Sequence, residues 1–289
     1  MPFSSLLSSL LKQETTALTP WSITTATIPV SVGIQRAVDI RFNITGQYAY
    51  VLTFDSGVLR NERITLYSTA PFDITSISGL GTSGTSGSGR PFAMCGVLHD
   101  TLHANYGKLM YSTNLDGEII EYTSPTAFTS LTNNGQVANI TNYTGTMYFC
   151  DFYDNGNKLV CVGDFGMYVF SVSNYVLSGT YDTASAIYTD LNYSTTLGHA
   201  VGDWLVHMTW VGNGKYCYTF DKSGNIRAFD TTSAPYDYTA VTNSNFIETR
   251  NFGITGSEYS LEFNRTTIPV QNDIGLFHIG NLQYNFIFS

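Results

Sequence analysis

Asp39, Arg41, His99, Asp151 and His207 are the residues of this sequence whose types and spacing could act together. Imidazole beside carboxylate suits Zn²⁺ or a related ion. Two carboxylates held at a fixed separation suit glycoside hydrolysis, one as acid and the other as base or nucleophile. A third reading is simpler, a water-filled channel whose polar lining satisfies its own hydrogen bonds. Two details weigh against the chemical readings. His99 and His103 have the i, i+4 spacing of a helical metal site, but they fall on a strand and turn, where they cannot face one ion. Asp100 and Glu248 fall on the opposite pleat from Asp39 and Asp151. No metal site, cofactor or catalytic set is expected, and a glycoside hydrolase stays open as an alternative.

These five residues come together only through a repeat. The runs "FNITGQYAYV" (42–51), "LHANYGKLMY" (102–111), "FYDNGNKLVC" (152–161), "WVGNGKYCYT" (210–219) and "FGITGSEYSL" (252–261) each place an apolar anchor, a polar turn with glycine, and another apolar run. The turn glycines are Gly46, Gly107, Gly156, Gly214 and Gly256. A second element follows each: "ITLYS", "IIEYT", "MYVFS", "IRAFD" and "IGLFH". Short alternating runs bounded by Gly, Asn and Asp predict strands and tight turns. A third phrase, "STAPFDITSIS", "TSPTAFTSLT" or "TTSAPYDYTAV", adds a proline-set turn, an aromatic and a β-branched run, with "SVSNYVLSGT" as its weaker copy. Four antiparallel strands per unit predict a propeller blade.

The expected fold is therefore all-β: a single β-propeller over 18–289, with five four-stranded blades. Six blades is the alternative, with 184–200 as a degenerate unit. The third phrase is missing after Phe277 and appears in surplus at the N-terminus as "LTPWSITTAT". The N-terminal strand is thus expected to complete the last blade and close the ring, although "LQYNFIFS" is itself strand-like. In the strand before each turn glycine, the residue one before the anchor is Arg41, Thr101, Asp151, Thr209 or Asn251. Three before stand Asp39, His99, Phe149, His207 and Thr249. These columns are predicted to line the axis. Residues 1–17 are predicted to hold a short helix whose stripe of Leu6, Leu7, Leu10 and Leu11 packs on its own propeller or anchors a partner subunit.

Composition narrows the partners. The chain has 289 residues, 43% hydrophobic and only 12% charged, with 20 Tyr, 18 Phe and a formal charge of −9. Its surface must be made of hydroxyls and amides, and with no Lys/Arg cluster it offers no nucleic-acid footprint. No run is long and apolar enough for a membrane-spanning helix, and "MPFSSLLSSLLKQ" lacks a secretory basic region. The glycine-rich "GLGTSGTSGSG" at 79–89 reads as a flexible insertion. The four cysteines are expected to be free thiols, with Cys150 opposite Cys161 across the "DNGN" hairpin.

The phrases "LTPWSITTAT", "LYSTAPFDITSIS" and "FNITGQYAYV" resemble a repeat family of bacteriophage and bacterial β-propellers. That resemblance implies a virion protein, tail or tail-fibre associated, serving assembly or host-surface recognition. The implied partners are other tail proteins and a host glycan or receptor, and the implied location is the virion. A free carbohydrate-binding propeller, extracellular or at a cell surface, is the alternative. The family motif is a packing motif, so no catalytic residue is carried over.

Overall fold

The computed structural model describes residues 20–27, 37–54, 62–86, 91–114, 116–142, 147–163, 166–185, 197, 205–251, 259–262, 274–279 and 282–288. The expected N-terminal helix with Leu6, Leu7, Leu10 and Leu11 lies outside these residues. Among them the strands form five sheets, and the chain is an all-β propeller. The first sheet is β2 (Ala37–Phe42), β3 (Tyr48–Phe54), β4 (Glu62–Ala70) and β5 (Asp73–Ser86), in that order. The second is β6 (Pro91–Gly96), β7 (Leu109–Asn114), β8 (Glu118–Thr123) and β9 (Thr132–Thr141). The third has β10 (Met147–Tyr153), β11 (Lys158–Gly163) and β12 (Gly166–Ser171). The fourth is β14 (Leu205–Val211), β15 (Tyr216–Asp221), β16 (Asn225–Asp230) and β17 (Phe246–Asn251).

The last sheet joins the two ends of the described chain. Its order is β18 (Tyr259–Glu262), β19 (Ile274–Ile279), β20 (Leu282–Phe288) and then β1 (Pro20–Thr27), which pairs antiparallel with β20. "LTPWSITTAT" therefore supplies the outermost strand, with "LQYNFIFS" between it and β19. The first strands of the sheets pack on one another in the cycle β2, β6, β10, β14, β18 and back to β2, which encloses an axis.

Four sheets thus carry the four antiparallel strands of a complete blade, whereas five such blades had been expected. The third stops at three strands because the chain after β12 turns away and lays β13 (Gly179–Asp182) parallel to β9, at the edge of the second sheet. Tyr181 of β13 packs its ring 5.3 Å from that of Phe170 and joins the core shared by the second and third sheets. This partly buried aromatic contact holds β13 against the second and third sheets. Of the expected degenerate unit at 184–200, the described part is the end of a 3-10 turn over Thr183–Ser185 and the single residue Leu197. The glycine-rich run is also corrected in part, since β5 extends through Ser86 and pairs with β4 across three irregularities.

The repeated phrase has a specific structural job. Its aromatic, Phe72, Phe128, Tyr175 or Tyr236, lies over the turn glycine of its own unit, Gly46, Gly107, Gly156 or Gly214. Each aromatic donates its backbone N–H to that glycine's carbonyl, over 3.0, 2.9, 2.9 and 3.4 Å respectively. All four aromatics hold a left-handed backbone, with φ between 53° and 66°, which is uncommon for bulky residues and marks an imposed geometry. Gly46 sits at φ +69°, and a Cβ there would come within 2.5 Å of the Phe72 ring and backbone nitrogen. Gly46→Ala is therefore expected to cost about 2–4 kcal/mol, from the left-handed backbone plus overpacking. Denaturant titration checks this, and a loss below about 0.5 kcal/mol, the range of a surface change, would refute the latch.

The core lies between sheets. Tyr50, Leu52, Met94, Met110 and Tyr122 fill the first gap, while Phe149, Val160, Met208, Trp210 and Phe229 fill the gap between the third and fourth sheets. Buried tyrosines pin neighbours together: the Tyr50 hydroxyl donates to Gly107 O (3.1 Å), Tyr111 to Tyr175 O (3.0 Å) and Tyr153 to Met208 O (2.9 Å). Each buries a large ring and satisfies its one polar atom on the adjacent sheet.

Candidate functional site

The axial strands share one irregularity that sets their register. Each of β2, β6, β10 and β14 has a bulge at its start, between Ala37 and Asp39, Pro91 and Ala93, Met147 and Phe149, and Leu205 and His207. An extra residue there re-aims the side chains that follow. The equivalent positions after the bulge are Asp39, Ala93, Phe149 and His207, and two residues on are Arg41, Cys95, Asp151 and Thr209. Of the five residues expected in each column, three lie at these positions: Asp39, Phe149 and His207 in the first, and Arg41, Asp151 and Thr209 in the second.

The structure corrects the rest. His99 and Thr101 do not lie on an axial strand, because the β6–β7 hairpin carries an insertion between Gly96 and Gly107. Gly96, opposite Met110, takes the place that Phe42, Phe152 and Trp210 hold in the other sheets. Leu102, expected as the anchor, is 96% exposed. Asp100 of this loop instead accepts from the Tyr175 hydroxyl at 3.5 Å. In the last unit, Glu248, Thr249 and Asn251 belong to β17, the outer strand of the fourth sheet, and β18 takes the inner position.

Asp39, Arg41 and Asp151 form one buried cluster. Arg41 donates through Nε to Asp39 Oδ2 (3.1 Å), through Nη1 to Asp151 Oδ2 (3.2 Å) and through Nη2 to the Cys150 carbonyl (3.3 Å). Asp39 Oδ2 also accepts from Met94 N (2.9 Å), and Asp151 Oδ1 from Phe152 N (2.7 Å). The three side chains are at most 5% exposed. The guanidinium lies over the Phe149 ring at 4.7 Å, and Phe149 meets the His207 imidazole at 3.9 Å between centroids. His207 therefore joins the cluster through an aromatic bridge. Asp39 Oδ1 and Thr209 Oγ1 are buried with no hydrogen-bond partner among the described residues.

The cluster sets two carboxylates against one guanidinium. Burial pushes the Asp39 carboxyl up from 3.8 to about 6, with Asp151 adding to the rise and Arg41 and the Met94 N–H opposing it. Between these values the folded protein holds more proton on Asp39 than the unfolded chain does. Its stabilising contribution is thus full below about pH 4 and is lost as pH rises through about 6. Compared with Asp39→Asn, the native protein should lose on the order of 2–3 kcal/mol between pH 4 and 7. Parallel urea titrations check this, and a constant difference across that range would contradict it.

Beside the cluster, Cys95, Cys150 and Cys161 lie together, with Cys150 paired to Cys161 in register as the hairpin arithmetic predicted. Burial pushes the Cys95 and Cys161 thiols well above their ordinary range, so they remain protonated and unreactive. Among the described residues no group of three or more His, Cys, Asp or Glu is placed to hold a metal ion, and no helix is long and apolar enough to cross a membrane.

A second feature escaped the sequence. Asp230, Thr232, Ser233, Ser244, Asn245 and Phe246, with Ile247, line an open groove of about 670 Å³ where β16 leaves the fourth sheet and β17 enters it. Phe246 is 39% exposed, and its ring is braced by Phe229, 6.1 Å away edge-on, and by the Arg227 guanidinium at 5.2 Å. Residues 230–233 and 244–247 meet only through the fold, so no local spacing marks them.

No family model matches the sequence, and no curated protein matches it. Among solved structures, the chain is similar to the β-propeller domain of Cps50 (Swd1) from Myceliophteria thermophila, at 11% identity and a TM-score of 0.41, over 84% of this chain. It spans 65% of the length of that domain. It is also similar to the WD40 domain of coronin from Toxoplasma gondii, at 8% identity and a TM-score of 0.44, over 94% of this chain and 88% of that one.

Proposed function

We propose that the chain is a non-catalytic propeller of a bacteriophage tail, serving assembly of the particle and contact with the host surface. The observation that carries the non-catalytic half is the axial cluster. Asp39, Arg41 and Asp151, the charged axial residues best suited to chemistry, direct their ion pairs and hydrogen bonds at one another and at nearby backbone. Two carboxylates sharing one guanidinium in a buried core do not offer the separated acid and base that glycoside hydrolysis requires. Binding then falls to the exposed turns and grooves. The resemblance of "LTPWSITTAT" and "LYSTAPFDITSIS" to phage propeller repeats supports the tail, as does a surface built of hydroxyls and amides.

In this reading the four complete sheets are the blades of one ring, and β1 closes it. The expected N-terminal helix carries Leu6, Leu7, Leu10 and Leu11 to a neighbouring tail subunit. Antibodies against the chain should label the tails of particles purified from a lysate that expresses it. Finding the chain only in the unassembled fraction would sink the proposal.

A further inference from the structure

We infer that the groove at Phe246 binds a neutral saccharide, with a pyranose ring stacked on the phenyl face and its hydroxyls held by Asp230 and Asn245. This deepens the host-surface part of the function proposed above and rests on it only for the source of the sugar. Three observations combine. First, the aromatic is both exposed and immobilised: Phe246 is 39% exposed, while Phe229 and Arg227 fix its ring. An aromatic already held in place loses little freedom on binding, and its face offers apolar area to the C–H side of a sugar.

Second, the surrounding groups are hydroxyls, one amide and one carboxylate. Asp230 Oδ1 accepts from Thr232 N (2.9 Å), and Asn245 Nδ2 donates to Ala240 O (2.7 Å). Those bonds orient the two side chains and leave Asp230 Oδ2 and Asn245 Oδ1 as acceptors, with the Ser233 hydroxyl able to donate or accept. Sugar hydroxyls, which both donate and accept, complement such a set, and a carboxylate makes the stronger bonds. A cationic ligand would find Arg227 beside the same ring. An apolar peptide would bury the remaining acceptors of Asp230 and Asn245 without partners, a cost that disfavours it.

Third, about 670 Å³ falls within the range of small-molecule sites and gives space for a short oligosaccharide rather than a single small ion. The groove is built at a sheet corner, with its aromatic at the first residue of β17 and its carboxylate at the last of β16. Rigid strands thus hold both ends of the recognition set.

The full chain would be screened against an immobilised panel of neutral hexose, deoxyhexose and N-acetylhexosamine oligosaccharides, and hits measured by calorimetry. At least one should bind, and Phe246→Ala and Asp230→Asn should each weaken it about tenfold or more, while Phe246→Trp keeps the platform and the affinity. Thermal melting of each variant separates lost binding from lost fold. If Phe246→Ala does not fold, Asp230→Asn, at the groove surface, carries the test. Absence of binding to every sugar at millimolar concentration would overturn the inference, as would binding that survives both substitutions. Tail labelling is a separate readout, so a particle-borne chain that ignores sugars would refute this site and leave the tail assignment standing.

Discussion

Replacing Arg41 with methionine is expected to destabilise the propeller by about 3–5 kcal/mol, because it strands two buried carboxylates without their shared cation. Methionine matches much of the volume, so the loss reports charge rather than a cavity. Asp39 and Asp151 would each keep one backbone N–H donor, from Met94 and Phe152, which offsets only part of the cost. Adding Asp39→Asn and Asp151→Asn to the methionine variant should recover most of the stability, since the uncompensated charges are then gone. Urea unfolding at pH 7 measures both steps. Arg41→Met with native stability, or a triple variant no better than the single one, would show that the cluster does not hold the axis.

The second large effect is expected from removing residues 1–27. β1 meets β20 at seven register positions. Each backbone hydrogen bond contributes about 1 kcal/mol net, so the strand as a whole contributes several. Its loss also bares β20 as an edge open to pairing with other chains. Calorimetry should show a melting temperature lower by on the order of 10 °C and a tendency to aggregate. A synthetic peptide of residues 18–29 added in trans should restore part of the loss. A truncated chain that melts with the full one would make β1 an appendage rather than a closing strand.

How much of this was legible beforehand depended on whether the signal was local. The glycine and the aromatic of the latch lie 26, 21, 19 and 22 residues apart in the four units, so a periodic reading found both members at every joint. The bulge that aims Asp39, Phe149 and His207 leaves the count from anchor to bulge unchanged, so the sequence column and the strand register coincide at those residues. In the second unit Leu102 imitated the missing anchor, five residues before Gly107, whereas the true position is Gly96. Sequence could not separate a leucine bound for solvent from one bound for the core. The last unit was read one strand too early because "FIETRN" has the alternation of any strand, and only its pairing with β16 makes it an outer one. The Phe246 groove depends on two segments fourteen residues apart meeting at a sheet corner, which no periodicity encodes.

The way β1 meets β20 also sets how the ring would respond to mechanical load. The strands are antiparallel and Pro20 faces Phe288, so tension between those two residues acts at one end of the pair and opens it one rung at a time. That is a peeling geometry, in which bonds bear the force in sequence rather than in parallel. A pull between residues 27 and 288 would instead shear all the rungs together. The same seam is therefore weak or strong according to which end of β1 is held, and the propeller has a built-in direction along which it can be unzipped.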